Sequence, residues 1–341
     1  MKSKVFFAWN VQLQYTEDFF ARMASIHDVR VGYTRVDPAI KYSSNSARLN
    51  RIDFDWRFIV SEIIRPQSEF YVFSRWKGVK ILILALSMRV RRRHTIICFD
   101  NTLPSSMIKR ALMKTYSVLF LRIFQAAFVP GESQEQYARF LGFSRISKGL
   151  YSAPDVFFDQ SDMNVSETRD ITFLYVGRLL ERKGILDLFA AFRFLHESKK
   201  SKCGLVCVGD GDERAVVEAE EYLDYRGFLS SSEIRRLCLR TRWVIVPSRW
   251  EPWGIIVQEA LLCGCGVISS NSVMSARFFG EGFENVVKIF PAGDIASLAL
   301  LLKSTEGYAP DPGYCVTAGE KRTPYEQTQQ LTDLFKEIRL S

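Results

Sequence analysis

The chain has 341 residues, 47% of them hydrophobic and 25% charged. That composition sets aside collagen-like, disordered and disulfide-scaffold classes. At roughly 100–200 residues per domain it predicts two domains, each with its own core. Lys and Arg exceed Asp and Glu by 8, and the surplus is unevenly placed: residues 1–160 hold 24 basic against 13 acidic side chains, and residues 161–341 hold 22 against 25. The positive half is expected to meet something anionic, such as a membrane, a nucleic acid or a phosphate-bearing substrate.

In chain order, the first half shows apolar runs at Val5–Ala8, Val29–Tyr33, Phe70–Phe73, Thr95–Phe99 and Ala126–Val129. These predict strands. Helical spacing falls between them at Glu17–Ala24, Lys77–Met88, Ser105–Phe124 and Ser133–Leu141. Ser152–Arg169 is polar, carries Pro154 and lacks periodicity, so it is read as a linker. The second half predicts strands at Ile171–Val176, Leu205–Val208, Tyr225–Gly227, Trp243–Val246 and Val267–Ser269. Its predicted helices are Lys183–Leu195, Asp212–Tyr222, Ser231–Thr241, Gly254–Cys263 and Ile295–Lys303. A loop rich in Gly, Pro and Asp (Gly307–Gly319) precedes a last helix near Tyr325–Ile338. Two alternating series of this kind imply two parallel sheets covered by helices on both faces.

The seven cysteines, Cys98, Cys203, Cys207, Cys238, Cys263, Cys265 and Cys315, are odd in number and mostly embedded in apolar runs. With no leader pattern at the N-terminus, they are expected to be reduced thiols of a cytoplasmic protein. A C-x-C pair and three His do not make a zinc site, and no metal is expected. The longest apolar run, Ile81–Leu86, falls far short of the roughly 18–20 residues that span a bilayer.

Parallel sheets bind ligands at the carboxyl ends of their strands, so the strand-to-helix turns are where chemistry is expected. Gly177-Arg178-Leu179-Leu180-Glu181-Arg182-Lys183-Gly184 places a guanidinium and an ammonium after a strand, suited to a diphosphate. Taken alone, a solvated basic loop explains it better. Val208-Gly209-Asp210-Gly211-Asp212 is Gly-rich but does not complete G-x-G-x-x-G, since Arg214 follows. An ordinary turn with an acidic helix start fits as well, and the D-x-D pairs Asp210/Asp212 and Asp53/Asp55 are not by themselves metal sites. In Pro247-Ser248-Arg249-Trp250-Glu251-Pro252-Trp253-Gly254-Ile255, a carboxylate precedes a glycine that opens a helix carrying a second carboxylate, Glu259. Helix-start N–H groups bind phosphate oxygens, and carboxylates suit vicinal hydroxyls. The bland alternative pairs Glu259 with a nearby Arg.

Gly177-Arg178 with Lys183-Gly184, then Gly209-x-Gly211, then Pro-Ser-x-x-Glu-Pro-x-Gly and Glu251-x7-Glu259 followed by Ala260, Cys263 and Gly264 occur in that order. Over about Ile171–Ser270 this resembles the signature of retaining glycosyltransferases of family 4. The resemblance implies a GT-B fold: two Rossmann-like domains facing each other across a cleft. Residues 1–160 would bind acceptor, 161–323 would bind nucleotide sugar, and helix 324–341 would pack back on the N-terminal domain. It implies that Arg178 and Lys183 neutralise the diphosphate as the sugar leaves, and that Glu251 holds donor hexose hydroxyls. The backbone at Gly177, Gly209, Trp253, Gly254 and Ile255 would contact sugar and phosphates. Glu259 would bind the ribose, and the base would lie near Phe228 and Leu229. No cofactor or metal is implied beyond the nucleoside-diphosphate sugar itself.

Two stretches depart from that family. The turn after the first strand, Trp9-Asn10-Val11-Gln12-Leu13-Gln14-Tyr15, has no Gly where the family carries a Gly-Gly pair near the donor phosphates. Either the side-chain amides of Asn10, Gln12 or Gln14 are expected to do the polar work instead, with Asn10 assigned to the acceptor, or the acceptor binds differently. Asn271-Ser272-Val273-Met274-Ser275-Ala276 replaces an Asp with Gly-Gly. Asp100, at the end of Thr95–Phe99, could orient or deprotonate an acceptor hydroxyl, or form an Asx-turn with Asn101. His94, beside Arg91–Arg93, is expected at the surface. Arg75, Lys77, Lys80, Arg89 and Arg91–Arg93 flank one apolar helix, and Lys109, Arg110, Lys114 and Arg122 lie on the next. An anionic membrane surface fits this pattern, a solvated basic face is the alternative, and no nucleic-acid motif accompanies it. The expected function is hexosyl transfer to a glycan, lipid-linked, in O-antigen, capsule or lipopolysaccharide synthesis at the inner face of the plasma membrane. The alternatives are a nucleotide-sugar hydrolase or isomerase, or a non-catalytic membrane assembly partner.

Overall fold

The computed structural model describes residues 2–35, 49–76, 78–161, 169–196, 204–220 and 222–340. Lys77 and Cys203, singled out above, lie outside them. The chain divides into two compact units, one of Met1–Ser152 with Thr323–Ser341, the other of Ala153–Arg322.

The first unit runs β1 (Lys4–Val11), α1 (Gln14–Ile26), β2 (Asp28–Arg35), β3 (Asn50–Asp53), α2 (Trp56–Ile64), β4 (Phe70–Phe73), α3 (Val79–Val90) and β5 (His94–Cys98). It continues with α4 (Met107–Phe120), β6 (Ala126–Val129), α5 (Glu132–Leu141) and β7 (Ile146–Lys148). Its sheet has the order β3-β2-β1-β4-β5-β6-β7, all pairs parallel. The central strands are continuous apolar runs because helices cover both faces. Alternation along β1 sorts its side chains between two cores. Phe6 and Ala8 pack with α2, α3, α4 and α5. Val5, Phe7 and Trp9 pack with α1 and with Leu331, Leu334, Phe335 and Ile338 of the C-terminal helix.

The second unit runs β8 (Ile171–Val176), α6 (Ile185–His196), β9 (Leu205–Val208), α7 (Arg214–Glu218), β10 (Leu223–Tyr225), α8 (Ser231–Leu239) and β11 (Thr241–Val246). It ends with α9 (Ile256–Leu262), β12 (Gly266–Ser270), α10 (Met274–Gly280), β13 (Val287–Phe290), α11 (Ile295–Thr305) and α12 (Pro312–Gly319). The C-terminal helix, α13 (Pro324–Arg339), then completes the first unit. The second sheet has the order β10-β9-β8-β11-β12-β13, again parallel throughout. Its strand order reverses between β8 and β11, which places a crevice beyond their carboxyl ends.

The differences from the predicted elements have local causes. The edge strands β3, β7 and β13 and the helices α2, α10 and α12 were not expected. α12 forms inside the predicted loop because Asp311 caps it, accepting from the Tyr314 N–H at 3.0 Å, and Pro312 fits the first turn. α7 is five residues long, not the eleven of Asp212–Tyr222. α8 starts at Ser231 as predicted, with Ser230 as its cap and Glu233 closing a capping box. β10 ends at Tyr225, two residues before the predicted end. His94 is only partly at the surface: it opens β5 half-buried, its ring 5.0 Å from that of Phe70, and burial holds its imidazole below the usual range. The six described cysteines are buried and unpaired. Among the described residues no helix is long and apolar enough to cross a membrane.

Candidate functional site

In the second unit, three strand-to-helix turns interlock at the carboxyl ends of β8, β9 and β11. The turn after β8 leans on the turn after β9. Gly177 N–H donates to Val208 O at 3.0 Å, Leu179 N–H to Asp210 O at 2.9 Å, and Glu213 N–H to Leu179 O at 3.0 Å. Gly209 is required at this contact: its φ is 143°, and a Cβ there would lie 1.8 Å from the Gly177 carbonyl oxygen. Gly209 N–H also donates to Gly227 O at 2.8 Å, so the segment holding Phe228 and Leu229 is tied to the same turn. Phe228 is exposed and Leu229 half-buried, three and four residues past the end of β10.

The turn after β8 is fastened equally tightly to the turn after β11. Arg249 N–H donates to Arg182 O at 2.9 Å. The Arg249 guanidinium grips Asp187 bidentately at 2.8 and 2.7 Å, and the Arg182 guanidinium lies over Trp250. Lys183 ends a short 3-10 turn instead of opening the helix, and its Nζ donates to Glu251 Oε2. Arg178 stands exposed on the same loop and makes no ion pair among the described residues.

Glu251 is further held by a backbone bridge to Val273. The Asn271–Ala276 stretch, where family and chain differ, acts as scaffolding for this turn. Ser272 Oγ donates to Ser248 O at 2.5 Å. Ser275 N–H donates to Trp253 O at 3.0 Å, and its hydroxyl to Gly254 O at 2.7 Å. Trp253 is buried, with the Arg322 guanidinium 4.7 Å from its ring. Gly254 has φ 92°, Ile255 is half-buried, and α9 follows.

Glu259 lies in the first turn of α9. No described residue pairs with it, which removes the Arg-paired alternative. Although its surface is partly open, the surrounding protein pushes its carboxyl up to about 8. Gln258 beside it is buried and fixes α9, accepting from Ala153 N–H at 2.8 Å and donating to Gly319 O and Arg322 O at 3.0 and 2.6 Å. Neither Gln258 nor Arg249 nor Ser275 was singled out from the sequence; each acts through a partner far along the chain, and no local pattern marks them.

Glu259 gives a pH expectation with a definite sign. A carboxyl raised in the folded state binds its proton more tightly there than in the unfolded chain, so its contribution to stability falls as pH rises. That fall runs from the ordinary carboxylate range up to about 8 and then levels. Glu259→Gln is expected to flatten this part of the profile, measured as melting temperature across that window; a profile parallel to the parent's would refute the assignment.

The D-x-D pairs have structural uses. Asp210 accepts from Gly211 N–H at 2.9 Å, and Asp55 caps α2 through Phe58 N–H at 2.8 Å. No cluster of three or more potential metal ligands occurs among the described residues.

The remaining candidates lie in the first unit. Asp100 follows β5, and its Oδ2 accepts from the hydroxyl of half-buried Tyr151 at 3.3 Å. Burial, then the Asp100 charge, holds that phenol well above its usual range. Asn10, near the end of β1, receives Arg75 on Oδ1 at 2.8 Å, and its main-chain carbonyl accepts from the Thr34 hydroxyl at 2.8 Å. Arg75 therefore serves Asn10 and not the basic helix surface with which it was grouped. Gln12, next in line, is buried with Nε2 unpartnered.

The family profile described as Glycosyl transferases group 1 matches residues 157–313. An uncharacterized glycosyltransferase of Methanocaldococcus jannaschii is 33% identical over 105 residues, covering 29% of this chain and 26% of that protein. The O-antigen chain mannosyltransferase B of Escherichia coli is 27% identical over 116 residues, covering 32% and 30%. These matches span about a quarter to a third of the relatives' lengths. The solved structure of Anabaena HepE in complex with UDP and glucose superposes with a TM-score of 0.71 at 14% identity, covering 97% of this chain and 99% of that one. The chain thus has the two parallel-sheet, Rossmann-like units of the GT-B fold, and residues 157–313 are similar to the glycosyl transferases group 1 profile.

Proposed function

We propose that the chain transfers a hexosyl unit from a nucleoside-diphosphate sugar to a glycan acceptor, with retention of configuration, in the synthesis of a cell-surface polysaccharide. The observation that carries this reading is the Lys183–Glu251 pair, which joins the cationic turn to the carboxylate turn at the point where the strand order reverses. One crevice thus holds a cation for a diphosphate and an acceptor of hydroxyl hydrogen bonds. In the proposed complex Arg178 and Lys183 stabilise charge growing on the departing diphosphate. Glu251 turns to the hexose hydroxyls and Glu259 to the ribose, the base resting by Phe228 and Leu229. Asn10 and Asp100 are assigned to the acceptor. A phosphate oxygen of the leaving group takes the acceptor's proton, so no second carboxylate of the glycosidase kind is called for. A relative named for O-antigen mannosyl transfer supports a glycan acceptor. We propose that it is lipid-linked and met at the inner face of the plasma membrane.

Melting of the full chain with UDP, GDP and dTDP tests the donor half. At a hundredfold excess over Kd the matching nucleotide adds about 2.7 kcal/mol, and the other two add less. Incubation of the corresponding nucleotide sugar with glycan acceptors, followed by NMR of the product's anomeric proton, tests the rest. An inverted product would overturn retention, free sugar formed without acceptor would favour hydrolysis, and no response to any nucleotide would overturn the whole assignment.

A further inference from the structure

From Phe70 to Gly131 the sequence holds eleven Lys and Arg side chains and a single acid, Asp100. Lys77 lies outside the described residues and Arg75 serves Asn10; the structure shows what the described remainder of this charge surrounds. α3 carries two apolar stripes. Ile81, Leu84, Ala85 and Met88 are buried against the sheet, while Val79, Ile83, Leu86 and Val90, spaced by four, three and four residues, face outward at 38–75% exposure. Only the inward stripe is needed for a covering helix of a soluble domain.

Its neighbours repeat the pattern. α2 packs against α3 and turns Trp56, Val60 and Ile64, each four residues from the next, outward at 49–61% exposure. Arg57 and Arg65 wall a shallow groove along that row. α4 presents Met107, Ile108 and Leu112 at 65–74% exposure. All three helices cover the same face of the first sheet. Exposed Arg89, Arg91, Arg92 and Lys109 lie at the helix ends and between the rows.

We infer that this α2–α3–α4 face inserts its apolar rows into the headgroup boundary of an anionic bilayer, with the Arg and Lys side chains meeting lipid phosphates. Apolar rows rimmed by cations are the chemistry of an interfacial element. A second copy of the chain fits the face poorly, because a two-fold contact would press the same positive surface against itself. A polynucleotide would satisfy the cations and leave the aliphatic rows without a use. The inference deepens the lipid-linked acceptor proposed above by naming the surface that reaches the lipid, and its test does not depend on that acceptor.

The full chain is sedimented with phosphatidylcholine vesicles, with and without phosphatidylglycerol. Binding is expected to need the anionic lipid and to fall with salt. Arg89→Gln and Arg91→Gln are each expected to weaken it about fivefold. The double variant Ile108→Asp/Leu112→Asp, at exposed positions that leave the core intact, is expected to lose it at least tenfold while its melting response to nucleotide stays that of the parent. Brominated acyl chains are expected to quench fluorescence from Trp56, and Trp56→Phe to remove that quenched component. Equal binding to neutral vesicles, unchanged binding by the aspartate variant, or no quenching overturns the inference. So does light scattering that finds a dimer dissolved by the same aspartates. Nucleotide response lost in the parent as well would instead count against the donor assignment and leave the membrane face standing.

Discussion

Replacing Lys183 or Glu251 by Ala is expected to lower sugar transfer by about 10²–10³-fold while the protein stays folded. The magnitude follows from removing one preorganised group that meets charge developing in the transition state. The fold is expected to survive because the pair lies at an open mouth, its side chains 18% and 14% exposed. Such partly solvated pairs contribute at most about 1 kcal/mol, or a shift of about 2–4 °C in melting for a domain of this size. The two variants should differ in kinetics. On the roles proposed above, loss of Lys183 is expected to weaken stabilisation of the departing diphosphate and to appear mainly in kcat. Loss of Glu251 is expected to remove contacts to the bound sugar too and to raise KM as well. Because the side chains touch, the double variant should lose less than the product of the single losses. Full activity in either single variant would remove that residue from the mechanism.

Gly209→Ala and Gly184→Ala are expected to cost about 3–5 kcal/mol each and to deplete soluble protein. Added methyls would lie 1.8 Å from Gly177 O and 2.0 Å from Pro247 O, respectively. Both are main-chain atoms that cannot swing aside. Backbone angle alone does not set this size, and the chain supplies its own control. Gly282 also has positive φ, 77°, but a Cβ there meets nothing within 4 Å, so Gly282→Ala should cost only about 1–2 kcal/mol. Urea midpoints of the three variants measure the difference. Equal midpoints would mean that the turns after β8, β9 and β11 are not braced as described.

These contacts also show what could be read from the sequence. The middle strands were legible because burial on both faces writes unbroken apolar runs such as those of β1, β4 and β8. The edge strands Asn50–Asp53 and Ile146–Lys148 are short and polar. They are strands because of what they pair with, which no local pattern records. Within the site, glycines and charges beside strand ends marked the three turns, since positive φ and phosphate chemistry restrict residue type locally. The braces were invisible for the opposite reason. Asp187 and Arg249 are 62 residues apart, and Ser275 acts on Gly254 from 21 residues away. α12 sits in a stretch whose Gly, Pro and Asp content resembles a loop, whereas Asp311-Pro312 is a helix start.

α13 has a consequence for how the molecule is made. Leu331, Leu334, Phe335 and Ile338 complete one of the two cores of the first sheet, and Phe335 stacks on Phe70 with ring centroids 4.2 Å apart. The ribosome releases these residues only after every residue of the second unit. During synthesis the second unit can therefore finish folding before the first, which must wait with one apolar face of its sheet unsealed. Order of emergence and order of completion can thus be reversed along this chain, and such an interval would leave that face open to chaperones and to aggregation.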